Sequence, residues 1–392
     1  MDLRQHVFPM GAGITLRQLD EDPHPALARL RRSEPVSWLA SLGGWLVTRH
    51  DLVLTAMRDA ATFTVDDPRF STAQVVGPSM LSLDGIDHAR HRAAFVAPFR
   101  AGEVKQRFAQ VSTDEAERLT ERLVPGGGAD LRRAFAGPMA AAIVTRALGL
   151  GADEVEEVLT AYEAIVASVT AITAGDGATA AGTEAFASLE ARLRTVIDAG
   201  DGTSLLGAAA AETSLTGDEI VSNASVLLFG GIETTDGMIA NAVLHLLSNP
   251  GWLAWTRDAP GRLDAAIDES LRLEPAAAVV DRYATADAEL GGAAIAAGDL
   301  VRLSIAAANR DPAVFGDPNG FDPTRTNVRR HVAFAQGPHV CVGVHLARLE
   351  ARAALGTLLR RLPRLRLDSA QPGPAVRGLV FRKPTFLYAR WD

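Results

Sequence analysis

Three stretches of this chain carry residue types and spacings that can do chemistry. The first is the loop Phe334-Ala335-Gln336-Gly337-Pro338-His339-Val340-Cys341-Val342-Gly343, which holds the only cysteine among 392 residues. It runs into an amphipathic segment read as a helix from about Val344 to Leu362. A thiol at a helix N-terminus meets unpaired N–H groups and the positive end of the helix dipole. Both favour the thiolate, the form that ligates metals and attacks electrophiles. The same residue can equally be a small buried hydrophobe, and the loop alone does not decide.

The second stretch is Gly230-Gly231-Ile232-Glu233-Thr234-Thr235. It lies inside a long helix that opens with a capping box, Thr216 and Glu219, and stops at Asn249-Pro250-Gly251. Roughly 30 residues give about 45 Å, far above the usual helix length, so this helix must cross the molecule and be buried. Two interior glycines cost about 1 kcal/mol each relative to Ala. A buried Glu costs more unless it is paired or wetted. Such a breach of good helix design reads as functional: the glycines let a flat ligand or dioxygen approach the backbone. A Thr bonding back to a preceding carbonyl would bend the helix and open a polar pocket. The competing reading is an exposed kink with a solvated Glu.

The third is Glu269 and Arg272, neighbours at i,i+3 on a helix that ends before Pro275. Alone it says little, because such pairs decorate many exposed helices.

The elements that position these residues are mostly helical. Helices are expected at Pro25 to Arg32, Asp51 (as cap) to Arg58, His88 to Phe99, Val104 to Leu123, Pro138 to Leu148, Ala152 to Thr173 and Glu184 to Ala199. Val36 to Leu39 and Trp45 to Thr48 around Gly43-Gly44 read as a hairpin, and Val279 to Tyr283 and Leu300 to Ile305 as strands. The stretch from Phe63 to Asp84 reads as a long loop with a binding-site role. A rigid winding loop with Pro312, Pro318 and Pro323 leads to the cysteine. With no internal repeat and no long linker, residues 1–392 are expected to form one large, mainly α domain with small β-sheets (α+β).

Composition bounds the rest. Hydrophobic residues at 47% and charged residues at 22% are those of a soluble globular protein. One cysteine allows no intramolecular disulfide, and neither a signal pattern nor a run of about 18 apolar residues is present. A cytoplasmic protein without a membrane anchor is expected. The net charge of −8 argues against nucleic acid as a partner. The only lysines are Lys105 and Lys383.

Taken together, the segments resemble the bacterial cytochrome P450 (haem-thiolate monooxygenase) family over nearly the whole chain. Phe334, Gly337, His339, Cys341 and Gly343 match its cysteine loop, with Ala335 in place of the loop's first glycine. Gly230, Gly231, Glu233 and Thr234 match its central-helix pattern, and Glu269 and Arg272 its buried pair. Pro318-x-x-Phe321-Asp322-Pro323-x-Arg325 matches the loop whose Arg completes a structural triad with that pair.

The resemblance implies haem b in the core with Cys341 as its iron ligand. His88, Arg92, Arg282 and His339 would hold the two propionates. Thr234 would hydrogen-bond the oxygen ligand or an ordered water, and Glu233 would relay protons inward. It implies a monooxygenase that takes one atom from O2, with hydroxylation the leading reaction. The chain carries no flavin or iron–sulfur motif, so NAD(P)H electrons would arrive through a separate ferredoxin and its reductase. Arg100, Lys105, Arg107, Arg329, Arg330, Arg348 and Arg352 are candidates for docking it. The substrate would be an apolar small-to-medium molecule lined by Val226, Gly230, Val279, Val280 and Leu379, and the protein a monomer. Within the family, oxidative coupling, O-demethylation or peroxide-driven oxidation stay open. Outside that chemistry, so do a Cys341/His339 hydrolase and a haem protein that only binds gas.

Overall fold

A computed structural model describes residues 4–173, 177–200, 204–211, 215–259 and 261–392. Its spine is the helix Gly217–Ser248, whose expected capping box is present. The Thr216 hydroxyl accepts from the Glu219 N–H at 3.3 Å, and the Thr216 N–H donates to the Glu219 carboxylate at 2.8 Å. From Thr235 to Leu244 every residue is buried, because helices pack round this half of the spine. In its middle, however, Leu227, Gly230 and Thr234 are only half-buried. Spacings of three and four put them on one face, so one stripe of the spine is left partly uncovered.

The two glycines divide the work. A Cβ on Gly231 would lie 2.8 Å from Val144 of helix Gly137–Ala147, so this glycine allows two helices to approach. A Cβ on Gly230 would meet nothing within 4 Å and would enter the open stripe.

The larger sheet has five strands in the order Val36–Leu39, Gly44–Val47, Leu300–Ser304, Val279–Ala284, Phe63–Thr64. Gly44–Val47 pairs parallel with Leu300–Ser304, and the other pairings are antiparallel. The hairpin register runs Val36↔Val47 to Leu39↔Gly44, with Gly43 at φ 60 in the turn.

Several expectations need correction. The helix expected from His88 to Phe99 is Gly85–Val96, since Gly85 at φ 63 lets the chain turn into it three residues earlier. Asp51 does not cap helix His50–Arg58; Arg49 holds the cap position, and its guanidinium takes the Asp51 carboxylate instead. The stretch from 63 to 84 is not one loop: it contains strand Phe63–Thr64 and helix Ser71–Val76. The C-terminal strands Val376–Arg377, Lys383–Pro384 and Tyr388–Arg390 are too short to show periodicity. The sequence also predicts a Gly/Ala-rich break from Gly175 to Gly182, whose Gly175 end lies outside the described residues.

The pair Glu269 and Arg272 is not an exposed decoration, because both side chains are 0% exposed. Arg272 makes a bidentate contact to Glu269 at 2.8 and 2.7 Å. It also donates to the carbonyls of Asn309, Pro318 and Gly320 at 3.0, 2.8 and 2.9 Å. Arg325 joins Glu269 at 3.3 Å and donates to the Asp317 carbonyl at 3.0 Å. Breaking one member leaves a buried charge uncompensated, which costs about 3–5 kcal/mol. Replacement of Glu269 or Arg272 by Ala should therefore abolish or strongly impair folding, read as loss of the cooperative thermal transition. A melt within a degree or two of the parent would contradict this role.

Candidate functional site

The cysteine loop is fixed at both ends of its turn. The Cys341 N–H donates to the Phe334 carbonyl at 2.9 Å and the Ala335 N–H to the Val332 carbonyl at 2.9 Å. Gly337 sits at φ 77, and a Cβ there would lie 2.5 Å from the Met57 carbonyl oxygen. Only glycine meets both demands. Ala335 occupies φ 57 with a side chain that disfavours it. The glycine it replaces was free of that strain.

Gly343 caps the helix Val344–Arg361, two residues after the cysteine. Cys341 is exposed as a residue, yet surrounding protein desolvates its thiol. This burial pushes the thiol up and outweighs the Gly343 N–H and the Arg92 guanidinium, which favour thiolate. The local argument from the helix terminus thus has the wrong net sign for the protein by itself. A cation bound to the sulfur would reverse it.

Around the loop the structure gathers the four residues singled out for anion binding. The His88 and His339 rings are 4.4 Å apart. Arg92 donates to the Val340 carbonyl at 2.6 Å, next to the cysteine. His339 Nε2 is 2.8 Å from Asp84. Burial alone would raise the Asp84 carboxyl, but His339, the Thr64 hydroxyl and the Val65 N–H outweigh it and hold it low.

Arg282 is 3% exposed, and its one hydrogen bond among the described residues goes to the adjacent Asp281 carbonyl, at 2.7 Å. Burial brings its pKa down to about 10. His88 is also buried, with Nε2 lacking a hydrogen-bond partner among the described residues. Burial, then His339 and Arg92, lower it to about 4. Arg282 feels the Asp84 and Asp281 carboxylates but makes no ion pair among the described residues; a buried guanidinium so placed and an orphaned imidazole nitrogen are costly unless an anion completes them. With the open face at Gly230 and a soft sulfur donor, these residues fit a flat, dianionic, iron-holding group.

On the central helix, Thr234 Oγ1 donates to the Gly230 carbonyl at 2.6 Å, the expected back-bond. Glu233 is 6% exposed and is paired, not wetted. Its Oε1 lies 2.9 Å from Lys383 Nζ, which also donates to Asp236 Oδ2 at 2.8 Å. Arg132 Nε reaches the same Asp236 oxygen at 3.3 Å. Sequence reasoning missed Lys383, Asp236 and Arg132; the rarity of lysine was the one available pointer.

An aromatic wall follows, with Tyr162 and Phe229 rings 6.3 Å apart and Phe229 and Phe381 5.5 Å apart. Val226 is buried nearby in the spine, and Gly230 lies on the uncovered stripe. Val279 and Leu379 are not brought to this wall; they pack together with Leu19 and Leu27 under the N-terminal helices. Val280 faces the other way, at the edge of the cluster round Trp45. The segment 77–82 is tied to the spine by the Met80 N–H donating to Asn223 Oδ1 at 2.8 Å. Of the basic residues proposed for docking, Arg348 and Arg352 are engaged with Asp268 and Asp264, while Arg100, Lys105, Arg329 and Arg330 are exposed.

Two outcomes follow from this geometry. Ala335→Gly should relieve the left-handed strain and raise stability by about 1 kcal/mol in a denaturant melt; a loss of stability would contradict the strain. His88, at 6.5 when unfolded and about 4 when folded, favours the fold above pH 6.5. That contribution is lost as pH falls towards 4 in protein without a bound anion, so His88→Phe should flatten the stability profile over this window. An unchanged profile would contradict it.

Comparison with known proteins shows the family. The Cytochrome P450 family model matches residues 262–387. The chain is 35% identical over 387 residues to 20-oxo-5-O-mycaminosyltylactone 23-monooxygenase of Streptomyces fradiae, covering 94% of this chain and 88% of that one. It is 35% identical over 343 residues to the mycinamicin VIII C21 methyl hydroxylase of Micromonospora griseorubida, covering 85% and 86%. The crystal structure of CalO2 superposes with a TM-score of 0.86 at 29% identity, covering 95% and 96%. With relatives this similar along almost their whole length, the chain belongs to the cytochrome P450 family, and it is a haem b monooxygenase.

Proposed function

We propose that the protein hydroxylates a C–H bond of an apolar, small-to-medium organic molecule, with electrons from a separate ferredoxin and reductase, and that residues 1–392 act as one haem domain. The observation that supports it most is the conjunction of an accessible Cys341 with a buried Arg282 that makes no ion pair among the described residues and a buried His88 with an orphaned ring nitrogen. Haem bound there supplies dioxygen activation, for which a thiolate ligand favours O–O cleavage.

The chain's own residues do the rest. Cys341 would be the iron ligand. Arg282, His88, Arg92 and His339 would anchor the propionates by charge-assisted hydrogen bonds. Thr234 Oγ1 stands on the open stripe and can exchange its bond to the Gly230 carbonyl for one into that space. Glu233, one residue round the helix, would supply protons from the buried side. The wall of Tyr162, Phe229 and Phe381 excludes water and suits an apolar substrate. A relative called a C21 methyl hydroxylase supports an unactivated carbon as target. No described helix is long and apolar enough to cross a membrane. A lone thiol that must stay reduced suits the cytoplasm.

The role of Thr234 separates dioxygen use from peroxide use. In Thr234→Ala, NADH-driven product formation should fall about 100-fold, with electrons lost as hydrogen peroxide, while turnover supported by added peroxide falls much less. Equal loss by both routes would contradict this role for Thr234.

A further inference from the structure

We propose that Lys383 is a positioning residue: its ammonium is shared between Glu233 and Asp236, so that Glu233 leaves this clamp only in its protonated form. The proposal rests on the reading of Glu233 as proton donor and adds the device that controls it.

The central helix is built for this contact. Glu233, Asp236, Gly237 and Asn241 recur at the spacing of one helix face, and that face meets the strand Lys383–Pro384. At Gly237 a Cβ would lie 2.8 Å from Ala276 and 3.5 Å from the Lys383 Cβ, so glycine admits the strand closely. Asn241 holds the strand's backbone by donating to the Arg382 carbonyl at 3.0 Å and to the Glu274 carbonyl at 3.1 Å. Lys383 thereby reaches Glu233 at 2.9 Å and Asp236 at 2.8 Å from a fixed backbone. Its side chain is 14% exposed and those of the carboxylates 8% and 5%.

Two carboxylates therefore face two cations, Lys383 and Arg132. A one-to-one buried pair could not release its acid cheaply, because the partner charge would be stranded. Here a proton arriving from solvent forms the O–H bond on Glu233 and cancels the attraction to Lys383. Lys383 stays compensated by Asp236, whose Oδ1 is buried without a hydrogen-bond partner among the described residues and could accept the freed N–H. Neutral Glu233 can turn towards the Thr234 side and give up that proton inward. It is again a carboxylate, and Lys383 recaptures it. One proton enters and one leaves, with no net change at the clamp. Arg132, with a quarter of its side chain exposed, marks where the network meets solvent.

The test compares Lys383→Met, Lys383→Arg, Asp236→Asn and Glu233→Gln in the haem-loaded enzyme. The share of NADH electrons reaching product should fall roughly tenfold in Lys383→Met and Asp236→Asn, with a raised solvent isotope effect. Peroxide-supported turnover should suffer far less, and Lys383→Arg should recover most of the coupling. Independently of turnover, Lys383→Met should lower the melting temperature by roughly 5 °C. Adding Glu233→Gln to it should return part of that loss, because the stranded carboxylate is gone. Equal loss of dioxygen- and peroxide-driven turnover in Lys383→Met, strictly additive melting shifts, or full coupling in Lys383→Met while Glu233→Gln uncouples would each overturn the clamp. Full coupling in Glu233→Gln would instead show that the reading of Glu233 had failed, and the clamp with it.

Discussion

The buried guanidinium of Arg272 is the contact on which the rest of this molecule depends. A fixed cation in a dry interior is tolerable only when its donors are met, and here Glu269 and three loop carbonyls meet them. The carbonyls belong to Asn309, Pro318 and Gly320, in the stretch that delivers the chain to the cysteine loop. Arg325 and the Asp322 N–H close on the same carboxylate. One ion cluster thus converts a proline-rich segment with little regular structure into a rigid approach. The position of Cys341 inherits that rigidity.

A second principle governs the site: charge is buried where its partner has yet to arrive. Arg282 and His88 would be costly in a finished interior, and the Cys341 thiol is pushed up by the same burial. All three offences are cancelled by one ligand that brings two carboxylates and a metal cation. At the opposite face, Glu233 and Asp236 are buried with their cations already in place. The protein keeps one set of charges waiting for its cofactor and another self-contained.

Most of the site was legible from local pattern because each motif encodes its own geometry. The Thr216–Glu219 box fixes where the spine starts, and of the two glycines beside the Glu one opens on the uncovered stripe while the other lets a neighbouring helix approach. What could not be read was anything set by tertiary approach. Lys383 meets Glu233 only because Gly237 and Asn241 admit and hold a two-residue strand that leaves no periodic trace. The thiol's shift depends on desolvation, which a helix-terminus argument does not see. Val279 and Leu379, proposed for the pocket by segment, pack with Leu19 and Leu27, while Val280, the next residue along the strand from Val279, turns to the cluster round Trp45. Ala335, first noted as a departure from a pattern, proves to sit at a left-handed backbone angle that favours glycine.

The central claim is that Cys341 ligates haem iron as a thiolate. The purified protein, reduced and exposed to carbon monoxide, tests it most directly. A strongly red-shifted Soret band that disappears in Cys341→His is the predicted result. A colourless protein, or a Soret band at the position of histidine-ligated haem in the unaltered chain, would contradict it.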